Sequence, residues 1–266
     1  MRFPCLKVEG GLLAGDLLDQ IYDGKAPGQK PQDFGISGGR LENEIAAAWQ
    51  EALEHWQAFQ HRLERLPETD PATTVTRDQW VIPLLSLLGY ELIYTARAAE
   101  VEGKTYAISH RAGAGEGVPP VHVVGCRQSL DRRPETGRPR LAPHSLVQEY
   151  LNRDKDALWG IVSNGRVLRL LRDNASLTRQ AYLEFDLEAI FRGELYSDFA
   201  LLWLVCHQSR FEADRPEECL LERWSELARR QGARALDTLR DGVERAIRAL
   251  GSGFLAHPDN ATLRER

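Results

Sequence analysis

Apolar residues recur at helical spacing between positions 41 and 66 and predict a long amphipathic helix. Trp49, Trp56 and Phe59 lie on its apolar face, and charged residues occupy the other faces. Aromatic side chains can stack nucleobases, but this spacing is that of a buried helix face, so we interpret the stripe as packing surface. Pro67 ends the helix.

A second helix and three strands are predicted next. The helix begins at Thr76 and ends at Gly89, a residue suited to a left-handed C-cap, and Pro83 indicates either a first turn or a local kink. The strands are separated by loops rich in Gly, Glu and Ala. Their predicted bounds are Glu91 to Ala96, Thr105 to His110 and Val121 to Cys126.

Residues 143–172 predict a helix, a strand, a tight turn and a second strand. Ser145, with Gln148 three positions later, forms a capping box that would satisfy free amides at a helix start. Leu158 to Val162 is an apolar run of strand length, and Asn164-Gly165 is typical of a two-residue hairpin turn. The predicted order is therefore helix, strand, strand, strand, helix, strand, strand.

Helical segments flank this core. Asp16 to Tyr22 predicts a short helix, and Tyr182 to Leu187 predicts either an edge strand or the entry to a helix. We divide the chain into an N-terminal segment with the long helix (1–75), an α/β core (76–190) and a C-terminal helical region (191–266). The helices predicted in that last region are Phe199 to Val205, Leu220 to Arg230 and Ala233 to Leu250.

Length and composition are those of a globular protein. The chain has 266 residues, 42% hydrophobic and 27% charged, and can bury a substantial core. No apolar run approaches the roughly 20 residues that cross a membrane. No export signal is visible, so we expect a soluble, cytoplasmic protein without a membrane partner. The four cysteines are too scattered for a zinc site and are expected to be reduced thiols.

A formal net charge of −5 argues against a protein that coats nucleic acid indiscriminately, because phosphate contacts need Lys and Arg. Any contact with DNA must be local. The best basic patch lies between the third strand and the following helix and comprises Arg127, Arg132, Arg133, Arg138 and Arg140. A solvated loop has the same composition, and that alternative stays open. The arginines of the C-terminal helices alternate with acids, as on a solvated helix face, and a row of arginines facing DNA is the alternative.

Several motifs of the core carry a resemblance to a known family. They are Gln148, Tyr150-Leu151-Asn152, Trp159-Gly160-Ile161-Val162, Asn164-Gly165 and Leu168-Arg169-Leu170. Together with Trp80 to Tyr90 and Pro120 to Val124, they resemble the nuclease-like N-terminal region of bacterial type II restriction-modification proteins whose later part is an adenine DNA methyltransferase. The resemblance extends over nearly the whole chain.

The resemblance implies a fold, partners and a cofactor. The fold is α/β, with a mixed-sheet restriction-endonuclease-like core of the PD-(D/E)XK superfamily and helical additions at both ends. The implied partners are double-stranded DNA and a C-terminal methyltransferase domain of the same polypeptide, which would use S-adenosylmethionine in phage defence. The present residues show neither the Gly-rich loop nor the Asn/Asp-Pro-Pro-aromatic tetrapeptide of that domain, and Gly251 is better explained as a C-cap.

Nucleases of this superfamily hold Mg²⁺ with carboxylates on the second and third strands, and a lysine assists the attacking water. Here the second strand offers His110 and no acid, and the third carries His122 among valines. We therefore expect no metal site. The remaining candidates are His110, His122, the bordering Glu116 and Gln148, the last because related folds place a helix glutamine beside the metal pocket.

Two interpretations of the histidines stay open. His110 and His122 lie on adjacent predicted strands and could face each other as an altered metal or phosphate site. Alternatively, they are partly buried histidines bonded to the backbone or to Ser109, an interpretation favoured by the lack of a carboxylate to complete a ligand set.

Three functions are compatible with these features. The one we favour is a DNA-engaging or assembly domain without hydrolytic activity. The second is a DNA endonuclease with displaced ligands, and only in that case would Mg²⁺ be a cofactor. The third is a protein-interaction scaffold that docks a neighbouring domain through the 41–66 helix or the C-terminal helices.

Overall fold

The computed structural model describes residues 2–115, 117–134, 141–173 and 180–257, and their fold is mixed α/β. The strands are β1 (Leu6–Glu9), β2 (Ile93–Tyr94), β3 (Ala99–Val101), β4 (Lys104–Tyr106), β5 (His110–Arg111), β6 (Pro120–Val123), β7 (Trp159–Ser163), β8 (Val167–Arg172) and β9 (Tyr182–Asp186). The helices are α1 (Gly15–Tyr22), α2 (Leu41–Leu63), α3 (Thr73–Thr76), α4 (Ile82–Leu87), α5 (Pro143–Leu151), α6 (Leu187–Arg192), α7 (Tyr196–Cys206) and α8 (Leu220–Ala256).

Seven strands in the described part of the chain form one mixed sheet in the order β1-β9-β8-β7-β6-β5-β2. Every neighbouring pair is antiparallel except β6 and β7, which are parallel. Helix α5 connects these two strands, because a parallel pair requires a crossover rather than a hairpin. The elements thus follow the chain in the predicted order, with one added hairpin, β3-β4.

This added hairpin divides the predicted second strand, Thr105 to His110, between two sheets. Its first part pairs as β4 with β3, and its last residue joins the main sheet in β5. Glu102 and Gly103 both have positive φ angles, 49° and 74°, which is the conformation of a tight hairpin turn. The alternation of polar and apolar residues does not show that the chain passes from one sheet to the other here. The sequence therefore predicted one continuous strand.

One face of the sheet packs against helices from both ends of the chain. The ring of Trp56 in α2 lies 5.1 Å from that of Trp80 and 5.8 Å from that of Phe191. The aromatic stripe of α2 is therefore packing surface, as predicted. Phe3 and Leu221 belong to the same hydrophobic cluster, so the N-terminal segment, the core and the C-terminal region share it. Helix α5 covers the opposite face, where Val147 and Leu151 lie in a second cluster.

A π-helical segment, Arg77–Val81, joins α3 to α4. Pro83 lies in the first turn of α4, where its missing N–H is tolerated. Within the π-helical segment, the indole Nε1 of Trp80 donates a 2.7 Å hydrogen bond to the carbonyl of Gly165. This helix is thereby fixed to the turn between β7 and β8.

Two local predictions are wrong in detail. Helix α5 starts directly after Ala142, so Ser145 lies inside the helix and forms no capping box. In the β7–β8 turn Gly165 has a positive φ of 76°, but Asn164 does not. Instead, Asn164 Oδ1 accepts hydrogen bonds from the backbone amides two and three residues later. The hairpin was correctly predicted, but its turn is longer than two residues.

The ends of the chain also differ from expectation. β9 is an interior strand rather than an edge strand, because the unpredicted β1 pairs with it. At the C-terminus, Leu220–Ala256 is one helix where two were predicted, and it continues through Gly251, which is not a C-cap. Helix α8 packs on the body of the molecule only through its first turns, and no residue from 229 to 257 is buried.

Among the described residues, no helix combines the length and apolar character needed to span a membrane. All four cysteines lie in the described part, and they are buried and free of disulfides.

Candidate functional site

His110 and His122 lie on opposite faces of the sheet. His110 is directly opposite Val121 in the β5–β6 pair, and opposed residues point to the same face. Because successive side chains alternate, His122 points to the other face, the one that α5 covers. Its partner in β7, Val162, belongs to the hydrophobic cluster on that side. The two imidazoles therefore do not face each other, although they lie on neighbouring strands.

His110 is buried in β5, the strand next to the edge strand β2, and lies close to the π-helical segment. Its Nδ1 lies 2.8 Å from Ser109 Oγ, and the ring centroid of Tyr94 is 5.7 Å away. Burial lowers the pKa of His110, the charge of Arg77 lowers it further, and Asp78 acts in the opposite direction. This contact with Ser109 was predicted by the second interpretation, in which His110 is a partly buried histidine bonded to the backbone or to Ser109.

Both ring nitrogens of His122 are buried without a hydrogen-bond partner among the described residues. Burial, assisted by the nearby His110, lowers the pKa of His122 to about 4. The imidazole is therefore neutral near pH 7 and brings no positive charge to a phosphate.

No group of three or more His, Cys, Asp or Glu side chains in the described ranges is arranged to hold a metal ion. Val121 and Val123 occupy the positions of β6 that flank His122. The bordering candidate Glu116 lies outside the described residues, and Asp131, an acid that follows the third strand in the sequence, is bound to Arg169.

Gln148 lies in the second turn of α5 and ties this helix to the sheet. Its Nε2 donates to Asn152 Oδ1 at 2.8 Å and to the carbonyl of Arg172, the last residue of β8, at 3.0 Å. Its Oε1 is buried without a hydrogen-bond partner among the described residues. The amide thus positions helix and strand.

The predicted DNA-binding arginines have different environments. Arg127 donates hydrogen bonds to the carbonyls of Leu66, Pro67 and Asp70, with 2.7 Å to Asp70, and thereby caps the segment that follows α2. Arg132 and Arg133 are exposed. The other two members of the predicted patch, Arg138 and Arg140, lie outside the described residues.

A charged cluster beside Arg132 was missed by the sequence analysis. The guanidinium of Arg169 on β8 binds both carboxylate oxygens of Asp131, at 2.6 and 2.8 Å, and its Nε donates to Glu184 on β9. The guanidinium also lies 4.7 Å from the ring centroid of Tyr182 and 3.3 Å from His144 Nδ1. Arg169 is only 7% exposed, so these contacts replace its hydration.

This cluster anchors the start of the basic segment. The carbonyl of the buried Leu130 accepts a 3.0 Å hydrogen bond from the His144 amide, and Asp131 is held by Arg169. The bond from Arg169 keeps the pKa of Asp131 below its usual value, and burial lowers the pKa of His144 to about 4. The next residues, Arg132 and Arg133, therefore leave a fixed point and point into solvent.

A sequence signal for this cluster did exist. Arg169 interrupts an apolar run of β8, and Glu184 interrupts one of β9. The two residues are directly paired in the antiparallel register. Single opposite charges in two neighbouring buried strands are typical of a cross-strand ion pair.

Comparisons with protein-family models, with curated proteins and with solved structures found no match to this chain.

Proposed function

We propose that this chain is a nuclease-like module that engages DNA without hydrolysing it, as the N-terminal part of a restriction-modification adenine methyltransferase. In such a protein it would hold the duplex for a methyltransferase domain that binds S-adenosylmethionine. The observation that carries the proposal is the topology of the sheet. An antiparallel set, β2-β5-β6, is followed by the crossover helix α5 and the parallel strand β7. This mixed sheet supports the proposal because its elements follow the chain in the order that the PD-(D/E)XK resemblance implies.

The proposed DNA contact is the exposed pair Arg132 and Arg133. Both arginines directly follow Asp131, which Arg169 holds in place. Binding of their side chains to phosphates therefore costs less conformational entropy than it would in an unanchored loop. The overall charge of −5 opposes binding elsewhere, which makes the contact weak and sensitive to salt.

Fluorescence anisotropy with a labelled duplex tests this contact. We expect weak binding whose logarithm falls linearly with the logarithm of salt concentration. The Arg132→Glu/Arg133→Glu variant should bind less tightly and lose about two units of that slope, since each lost phosphate contact removes about one. The matched control reverses two adjacent exposed arginines of α8, Arg229→Glu/Arg230→Glu, and should leave the slope nearly unchanged. Equal slopes for the wild type and the Arg132/Arg133 variant would reject this surface.

Incubation of the protein with supercoiled plasmid and either Mg²⁺ or Mn²⁺ tests the second part of the proposal. Val121, His122 and Val123 offer no carboxylate on β6, so the plasmid should stay supercoiled. Metal-dependent nicking that follows the protein through purification would establish the endonuclease alternative.

A further inference from the structure

An apolar stripe on helix α8 has no cover from the body of the molecule. Between residues 236 and 250 its members recur every three or four residues and are 50–74% exposed: Leu236, Leu239, Val243, Ile247 and Leu250. No residue of this half of the helix is buried. Folded monomers rarely expose a contiguous apolar surface of this kind, and such patches mark interaction sites.

The composition of the helix gives a second reason to expect a covering partner. Gly232, Gly242, Gly251 and Gly253 all lie within α8, and each glycine weakens a helix relative to alanine. Isolated helices are marginal in water, and most helical stability in proteins comes from packing of an apolar face. A helix with four glycines and an exposed stripe is therefore stabilised chiefly by whatever covers that stripe.

We propose that the stripe of a second copy of the chain covers it, in an antiparallel arrangement. From Leu236 to Leu250 the stripe is symmetric about Val243: Leu239 and Ile247 lie four residues away on either side, and Leu236 and Leu250 lie seven away. Phe254 continues the spacing eleven residues after Val243, and its counterpart eleven residues before Val243 is Gly232, so the large ring of one copy would lie opposite a glycine of the other. A two-fold axis at Val243 places it against its own copy, Leu239 against Ile247 and Leu236 against Leu250. Such self-complementarity is what a symmetric dimer interface requires.

The flanks of the stripe fit the same axis. Helical periodicity places Arg240 and Glu244 together on one flank. In the dimer, Glu244 of one copy is offset from Arg240 of the other by only about 3 Å along the helix axis, so two reciprocal ion pairs can form. Gly242 and Ala246 lie on the other flank, and their small size lets the two helices approach closely.

Sedimentation velocity over a range of protein concentrations tests the dimer. The wild-type chain should dimerise, and Val243→Lys, which places two ammonium groups at the axis, should raise the dissociation constant by more than 100-fold. Thr238→Lys is the matched control, because it also replaces a β-branched residue of α8 with lysine but lies away from the stripe, and it should dimerise like the wild type. A monomeric wild type at high concentration, or a Val243→Lys variant that still dimerises, would overturn the proposal.

Disulfide trapping tests the antiparallel register. The native cysteines are buried, so introduced ones report selectively. Mixed Leu239→Cys and Ile247→Cys chains should form a crosslink between unlike chains on oxidation, whereas Leu239→Cys alone should not. Ready crosslinking of Leu239→Cys alone would show a parallel pair and reject the proposed axis. Circular dichroism of the Val243→Lys variant separates a lost interface from an unfolded domain, since Val243 touches no core in the monomer.

Discussion

Arg169 is a buried charge whose free energy depends on two carboxylates. Removing a guanidinium from water is costly, and only well-formed ion pairs and hydrogen bonds offset that cost. Burial alone would lower the pKa of Arg169, but the bonds to Asp131 and Glu184 raise it instead. Arg169 therefore stays charged, and removal of one partner leaves the others without compensation.

Arg169→Leu should lower the free energy of unfolding by about 3–5 kcal/mol, because Glu184 then keeps a charge that is largely shielded from water. The double variant Arg169→Leu/Glu184→Leu should recover much of this loss, since an apolar pair can replace a buried ion pair at little net cost. Urea unfolding followed by circular dichroism measures both.

The control for this prediction is Arg230→Ala, which breaks an exposed ion pair with Glu226 outside the proposed dimer interface and should cost no more than about 1 kcal/mol. If Arg169→Leu costs no more than this control, the cluster does not stabilise the sheet as we describe.

At the residue scale, the sequence patterns identified which side chains are basic, but not which groups they bind. The basic patch grouped Arg127 with Arg132, although Arg127 binds carbonyls about 60 positions earlier in the chain. Only the fold brings those groups together. The contact between His110 and Ser109 was predictable, because the two residues are adjacent.

At the element scale, the junction between β6 and α3 depends on Gly125. A Cβ at this position would lie 1.9 Å from the carbonyl oxygen of Pro71 and 3.0 Å from the amide nitrogen of Thr73. Both atoms belong to the backbone, which cannot rotate away as a side chain can. Thr76 Oγ1 also accepts a 3.0 Å hydrogen bond from the Cys126 amide, which holds the two elements at this distance.

Gly125→Ala should therefore destabilise the protein by about 3 kcal/mol, at the upper end of overpacking costs. Gly15→Ala at the start of α1 has nothing within 4 Å of its Cβ and should be neutral or stabilising. Thermal unfolding of the two variants provides the comparison, and equal midpoints would show that the junction yields easily.

Arg210 fixes the loop between α1 and α2. Its guanidinium donates to the carbonyls of Gly28 and Asp33, both at 2.6 Å, and lies 3.7 Å from the ring centroid of Phe34. Arg210→Met should keep most of the packing but release both carbonyls. Amide hydrogen exchange across residues 25–36 should then increase at least tenfold, a loss of about 1.4 kcal/mol of local protection. If the exchange rates stay unchanged, side-chain packing alone holds this loop in place, and the hydrogen bonds from Arg210 do not contribute.

Elements with a long, regular period were predicted best. Four elements lie close to their expected bounds: the helices α2 and α7 and the strands β7 and β8. Each of them is long enough for its hydrophobic residues to show a clear pattern along the chain. Short strands were not: β1 spans four residues, and β2 and β5 span two each. Their formation depends on pairing with distant strands, which a local pattern does not encode.

At the scale of the whole molecule, two buried histidines and one half-buried histidine make stability depend on pH. Burial lowers the pKa values of His122, His144 and His207 to about 4 each. In the unfolded chain they protonate near their usual value of 6.5. Between these pH values the unfolded state binds more protons than the folded state, so stability falls as the pH is lowered from about 6.5 toward 4.

The urea midpoint should therefore be nearly constant above pH 7 and decline steadily between pH 6.5 and 4.5. His122→Leu removes one titrating group and two unpaired nitrogens from an apolar site, so it should stabilise the protein more at pH 5 than at pH 8. If the His122→Leu variant has the wild-type pH dependence, His122 does not contribute to it. The imidazole must then become protonated in the folded protein at nearly the same pH as in the unfolded chain, which would contradict the effect of burial described here.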